Sequence, residues 1–282
     1  KGLSFIVSLV LARILTPGDY GIIAITTIFT SLSDTLIDGG FSTTLIRKKD
    51  VDKLDFSCVF LSSFSIAVVL YALMFLGAPL IAVYYKEPLL KDVLRVIGLT
   101  LFLQAFSSTR NAAVHREMRF KLLFYCNMIA SGISGIAGIV AAEVGLGVWA
   151  LVIQQLSQQA IATILLLVKL HWKFEWKFDI KRFKEIFKFS IGVMGGSLLS
   201  YAGSNIYNLV IGKKYSVTDL GYSDKGGQLP MQVSLYTFSA MSSVLLPTLS
   251  SYQDERELFK RIMQKVTSMT AFIVFPLMFG MA

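Results

Sequence analysis

The chain has 282 residues, of which 54% are hydrophobic and 16% charged, with a formal net charge of +9. A water-soluble globule of this length needs far more polar surface, so the composition excludes that class. The cations sit in short breaks between apolar runs, which argues against a nucleic-acid surface and for one side of a membrane.

Runs of about 20 apolar residues read as membrane spans, because ~30 Å of hydrocarbon takes that much helix to cross. The first predicted span is Gly2 to Leu15. Thr16-Pro17-Gly18-Asp19-Tyr20-Gly21 then breaks the run, with proline and glycine for the turn and Asp19 able to cap the next helix. The second span runs from Tyr20 to Ile46 and stops at Arg47-Lys48-Lys49. At ~40 Å it is long enough to tilt, or to kink at Gly39-Gly40. Phe56 to Val83 forms the third, ended by Tyr84-Tyr85-Lys86-Glu87-Pro88. The fourth covers Val93 to Val114 and the fifth Leu122 to Ala142; a Gly145-Leu146-Gly147 turn leads into the sixth, which ends near Val168.

The polar stretch from Lys169 to Lys188 follows, with Ile180, Phe183 and Phe187 at i, i+3 and i+7 among lysines. That spacing suits a short amphipathic helix on an anionic membrane face, and equally a connecting loop with a solvated cationic side. The seventh span is Phe189 to Ile211, the eighth about 227–249 with prolines at 230 and 247, and the ninth begins near Val266. The expected fold is therefore an all-α polytopic membrane protein with about nine transmembrane helices in this sequence. The chain starts and stops inside apolar runs, so a piece of a longer protein is expected. The organisation reads as 1–170, a first six-helix lobe with its first helix truncated; 171–188, a cytoplasmic amphipathic linker; and 189–282, the first three helices of a second lobe. Alternate breaks carry 19 and 6 lysines and arginines, which puts the richer set, and the N-terminus, in the cytoplasm. Asp19-Tyr20-Gly21 recurs as Asp219-Leu220-Gly221, a weak repeat of the kind found in transporters built from two halves.

No catalytic constellation is present, and no enzymatic activity or cofactor is expected. His115 and His171 lie far apart in cationic breaks, and Cys58 and Cys126 read as buried apolar thiols. Gly192, Gly195 and Gly196, like the Ser131–Gly138 stretch, suit close helix contacts. The candidate site residues are polar ones inside spans. Asp34 and Asp38 share a helical face, and Asp34 falls near the middle of the second span, where an ionisable group points to function. The competing reading ends the helix at Asp38 and leaves both carboxylates near the headgroups. Arg13 lies at the other end, too far along the helix axis to pair with Asp34, at a cavity mouth or snorkelling to the interface. Arg110 closes the fourth span, placed to meet an anionic headgroup or simply to set topology. Gln154, Gln155, Gln158 and Gln159 stripe the sixth span, with Gln104 nearby, and Tyr201, Asn205 and Asn208 stripe the seventh. Such groups hydrogen-bond sugar hydroxyls in a wet cavity or join helices.

The opening LARILTPGDYGIIAI with DGGFSTTLIRKKD, the segment RNAAVHREMRFK, and Gly212 to Gly226 with its YSVTDLGYSDKG core resemble the Wzx-type polysaccharide flippases of the multidrug/oligosaccharidyl-lipid/polysaccharide exporter superfamily. The resemblance implies 12 to 14 helices in two six-helix lobes in the bacterial inner membrane. It implies movement of an undecaprenyl-diphosphate-linked oligosaccharide from cytoplasm to periplasm, as in O-antigen and lipopolysaccharide synthesis. Partners would be the bilayer, the lipid-linked glycan, a polysaccharide polymerase and glycosyltransferases, with no nucleic acid. Proton or sodium coupling at Asp34 is the mechanistic hypothesis. Among the residues in the matching motifs, Asp19, Gly21, Gly40, Arg116, Phe120, Asp219 and Gly221 look structural. A multidrug or cation antiporter of the same superfamily is the alternative.

Overall fold

The computed structural model describes residues 2–48, 51–170 and 179–227, with short helical pieces beyond 227 that include 268–272 and 274–276. All regular structure among the described residues is helical. Packing divides the chain into two units, Lys1–Gly221 and Tyr222–Ala282. In the second unit, 222–227 are helical; the predicted eighth span lies almost wholly outside the described residues.

The first unit holds α1 (Gly2–Ile14), α2 (Pro17–Asp38), α3 (Phe41–Arg47), α4 (Lys53–Tyr85), α5 (Pro88–Ile97), α6 (Thr100–Arg116), α7 (Phe120–Glu143), α8 (Val148–Lys169) and α9 (Ile180–Lys214). Among the described residues, four stretches are long and apolar enough to cross a membrane: Pro17–Arg47, Leu54–Tyr85, Phe120–Glu143 and Val148–Lys169. The protein is thus an all-α, multi-pass membrane protein.

Local chemistry sets the helix ends. Thr16 caps α2 in a reciprocal box: its hydroxyl accepts from the Asp19 amide at 3.3 Å, and Asp19 Oδ2 accepts from the Thr16 amide at 3.0 Å. Pro17 fills the first turn, where a missing N–H costs nothing. At the far end Gly39 and Gly40 both adopt positive φ, at 52° and 75°. Two consecutive left-handed residues end a helix rather than bend it. The expected kink is therefore a break, and the second predicted span is two helices, α2 and α3. The fourth divides likewise into α5 and α6 around Gly98-Leu99. α5 is a short amphipathic helix that buries Leu90, Val93, Leu94 and Ile97 at i, i+3, i+4 and i+7.

Contacts define two faces of this unit. On one, Gly147 approaches Asp19, and Lys213 Nζ donates to the Tyr84 carbonyl at 2.8 Å; we term it the turn face. On the other, the cationic face, Arg116 Nη1 donates to the Leu45 carbonyl at 2.9 Å and to the Lys48 carbonyl, closing the end of α3. The core follows the same division. One cluster runs through Leu11, Ile25, Leu94 and Leu151, and a second gathers Phe41, Leu45, Val114, Leu166 and Ile186 at the cationic face.

Residues 180–188 form the head of α9, continuous with the predicted seventh span, not a separate surface helix. Their side chains explain why. Phe183 meets Phe41 with ring centroids 6.2 Å apart, Ile186 is buried, and Ser190 Oγ lies 2.7 Å from Thr44 Oγ1. Ile180 and Phe187 of the predicted stripe are exposed instead. Residues 171–178 of the expected linker, with His171, lie outside the described residues.

The docking is held by ions. Arg182 Nη1 donates to Asp52 Oδ2 at 3.0 Å and lies 3.6 Å from Asp55 Oδ1, while Lys48 Nζ donates to Asp55 Oδ2 at 2.8 Å. The hydrogen bond to Asp52 holds the Arg182 guanidinium above its usual pKa range. The Asp55 side chain is 1% exposed and Lys48 34%, so removing the carboxylate strands cations that water still reaches in part. Asp55→Ala should cost about 2 kcal/mol, the scale of a hydrogen bond to a charged group. A lowered thermal transition of the purified protein checks this, and Asp52→Ala, at an exposed carboxylate, should fall well short of it.

The small-residue stretches behave differently from one another. On α7, Gly135 faces Val7 of α1 and Gly138 faces Gln154 of α8, as expected for close helix contacts. Gly192, Gly195 and Gly196 on α9 face no described atom within 4 Å of an added Cβ, and the predicted eighth span lies almost wholly outside the described residues. Cys58 and Cys126 are buried and unbridged, as read from the sequence. Cys58 Sγ accepts from the Asp179 amide at 3.3 Å.

Candidate functional site

The candidate site is a polar cavity of about 260 Å³ inside the first unit. Three elements build it. α2 contributes Thr27, Thr30, Ser31 and Asp34; the α5–α6 break contributes Ile97, Thr100 and Gln104; α8 contributes Gln155, Gln158 and Gln159. On α2 the spacing is i, i+3, i+4 and i+7, one face of a helix, and on α8 it is i, i+3 and i+4. The break between α5 and α6 matters here, because it brings Thr100 and Gln104 to the cavity while α5 keeps its apolar face in the core.

Part of the lining is hydrogen-bonded within the protein. Gln159 Nε2 donates to Gln104 Oε1 at 2.9 Å and to Ser107 Oγ at 3.3 Å, tying α8 to α6. Thr30 Oγ1 donates to the Thr26 carbonyl at 3.2 Å, and Thr100 Oγ1 to the Ile97 carbonyl at 2.7 Å. Asp34 is different: its Oδ1 is buried and has no hydrogen-bond partner among the described residues. A carboxylate oxygen buried within a span without a hydrogen-bond donor carries a desolvation cost. The chemistry available is therefore one anionic acceptor surrounded by amides and hydroxyls. Such a site can take a proton, hold a small cation, or hydrogen-bond a polyhydroxylated solute.

The residues singled out from the sequence divide into three groups. Asp34 and Gln158 line the cavity. Tyr201 and Asn205 sit on α9: the Tyr201 hydroxyl donates to the Ile28 carbonyl of α2 at 3.0 Å, and Asn205 Nδ2 to the Tyr201 carbonyl at 3.0 Å. Four residues lie elsewhere. Asp38 Oδ1 accepts from Ser42 Oγ across the glycine break. Arg13 is exposed in the last turn of α1. Arg110 is buried, its Nη1 donating to the Phe106 carbonyl at 2.8 Å. Gln154 packs on Gly138 of α7. The hydroxyls of α2, Ile97 and Thr100 are the lining residues that the sequence reading did not single out. The signal for the α2 hydroxyls was present in the 3-4-7 spacing leading to Asp34.

A family model described as "Polysaccharide biosynthesis protein" matches residues 10–282. The chain is 24% identical over 283 residues to the succinoglycan biosynthesis transport protein ExoT of Rhizobium meliloti (strain 1021), covering 99% of this chain and 57% of that protein. It is 22% identical to the teichuronic acid biosynthesis protein TuaB of Bacillus subtilis (strain 168), covering 89% of this chain and 53% of the relative. It is 21% identical to the lipopolysaccharide biosynthesis protein WzxC of Escherichia coli (strain K12), at 99% and 57%. The chain thus spans a little over half the length of these relatives. No solved structure matches. Because the match runs from within α1 to the last residue, the chain belongs to the polysaccharide biosynthesis protein family.

Proposed function

We propose that the protein moves a lipid-linked oligosaccharide across the bacterial inner membrane during surface polysaccharide synthesis. It acts as a transporter, not an enzyme, with an undecaprenyl-diphosphate carrier as the lipid. The observation that carries this reading is the amide- and hydroxyl-lined cavity around Asp34 in membrane-spanning helices, in a family whose relatives include a protein named for succinoglycan biosynthesis transport. Amides and hydroxyls match the donors and acceptors of a glycan, and the lone carboxylate suits coupling to a proton or sodium ion. The glycosyltransferases that build the glycan and a polymerase that extends it are the natural partners.

The test is a deletion strain. Without the protein, lipid-linked glycan should accumulate on the cytoplasmic leaflet, inaccessible to a glycosidase added outside, and surface polysaccharide should fall. Wild-type polysaccharide together with new sensitivity to cationic dyes would overturn the reading in favour of a cation antiporter, since Asp34 would serve a cationic drug equally well.

The reading places the turn face in the periplasm, following the 19 to 6 distribution of cations. Both native cysteines are buried, so introduced ones report cleanly. Thr218→Cys should react with an impermeant maleimide added to intact cells, and Lys121→Cys only after permeabilisation. The opposite pattern would reverse the orientation.

A further inference from the structure

At the turn face the ends of α4 and α9 enclose a groove of about 580 Å³ that shares no lining residue with the Asp34 cavity. Its wall is aliphatic, with Leu80, Leu209 and Val210, and its rim carries Tyr84, Lys213 and Lys214. Leu80 is 74% exposed and Val210 51%, so the wall opens outward where a span meets the membrane boundary. Tyrosines at a span end mark headgroup depth. Lys213 is held in place: its Nζ stands 3.6 Å over the Tyr84 ring and donates to the Tyr84 carbonyl at 2.8 Å. Part of that charge serves the carbonyl end of α4. Lys214, exposed and next in the chain, adds a second ammonium at the same rim.

Aliphatic wall, aromatic rim and paired cations follow the profile of an anionic lipid from chain to headgroup. We propose that this groove is a binding site for an anionic glycerophospholipid, with its phosphate at Lys213 and Lys214 and an acyl chain along Leu80, Leu209 and Val210. The site is independent of the transported substrate, and the cations give it a preference that a bare lipid-facing surface lacks.

Trp fluorescence tests it. In purified Leu80→Trp protein in nanodiscs, brominated phosphatidylglycerol should quench the new tryptophan at lower mole fraction than brominated phosphatidylcholine. Lys214→Gln should weaken the phosphatidylglycerol effect about fivefold, the worth of one lysine near an anionic surface. It leaves the Lys213–Tyr84 contact in place, and Lys214→Arg should restore binding, which separates loss of the site from loss of fold. Equal quenching by the two lipids, or no effect of Lys214→Gln, would overturn the proposal. Displacement of the brominated lipid by equimolar polyprenyl diphosphate would also overturn it, assigning the groove to the carrier lipid instead.

Discussion

Gly21→Ala and Gly221→Ala should each destabilise the protein by about 3 kcal/mol or more, at the upper end of overpacking effects. A methyl group at Gly21 would fall onto the Val217 carbonyl, and one at Gly221 onto the Pro17 carbonyl. Both obstacles are backbone, so no side-chain rotation relieves them; a helix must move. The contact is reciprocal between two copies of one motif. Ser216 and Asp219 repeat the side-chain contacts of the Thr16–Asp19 cap, with Ser216 Oγ donating to Asp219 Oδ2 at 2.6 Å and accepting from the Asp219 amide at 3.0 Å. Each cap starts a helix that places a glycine against the segment preceding the other glycine. Gly192→Ala is the matched control. Its added Cβ meets no described atom, so it should be neutral or gain up to about 1 kcal/mol in helix propensity. Thermal unfolding of the three purified variants checks the ordering, and a Gly21→Ala protein as stable as Gly192→Ala would refute the contact.

That contact shows what the sequence made legible. The Asp19 and Asp219 triplets could be matched by eye, because a helix cap is a local device written in four residues. Their meeting is a tertiary fact, and nothing in the triplets states that one glycine faces the other's turn. The same division holds elsewhere. Apolar run length showed the spans at α4, α7 and α8, since crossing hydrocarbon demands that length. It gave the end of α2 at Asp38 only as the competing reading, and it missed the break at Gly98-Leu99, because an apolar run carries no mark of where its helix stops. It also separated the head of α9 from its body at the polarity change near Phe189, although a helix continues through such a change whenever its backbone bonds are kept. In the site, Asp34 stood out because a carboxylate in a span is costly. Thr27, Thr30 and Ser31 did not, since a hydroxyl bonded to its own helix is commonplace there. Asp38 drew notice for the same reason as Asp34, and Arg110 as a cation at a span end; each has a local partner, the Ser42 hydroxyl and the Phe106 carbonyl.

Asp34→Asn should separate stability from transport. The buried Oδ1 has no hydrogen-bond partner among the described residues, so the native protein carries a half-buried carboxylate near the end of α2 whose desolvation is costly. An amide of the same shape removes most of that cost and finds acceptors among the neighbouring glutamines. The variant should therefore unfold at a higher temperature than wild type, a trade expected where a group is kept for function. Transport should move the other way. If Asp34 couples glycan movement to a proton or sodium gradient, the amide forfeits a coupling energy of ordinary size, and translocation should fall about tenfold or more. Asp38→Asn is the internal comparison: it lies one turn away on the same helix, outside the cavity, with Ser42 as its partner. It should leave transport near the wild-type rate. Both variants are read by the external accessibility of lipid-linked glycan in cells under imposed proton and sodium gradients. Asp34→Asn transport that matches wild type under every gradient would eliminate the coupling role. A loss shared equally by Asp38→Asn would move the effect from the cavity to the helix end at Gly39.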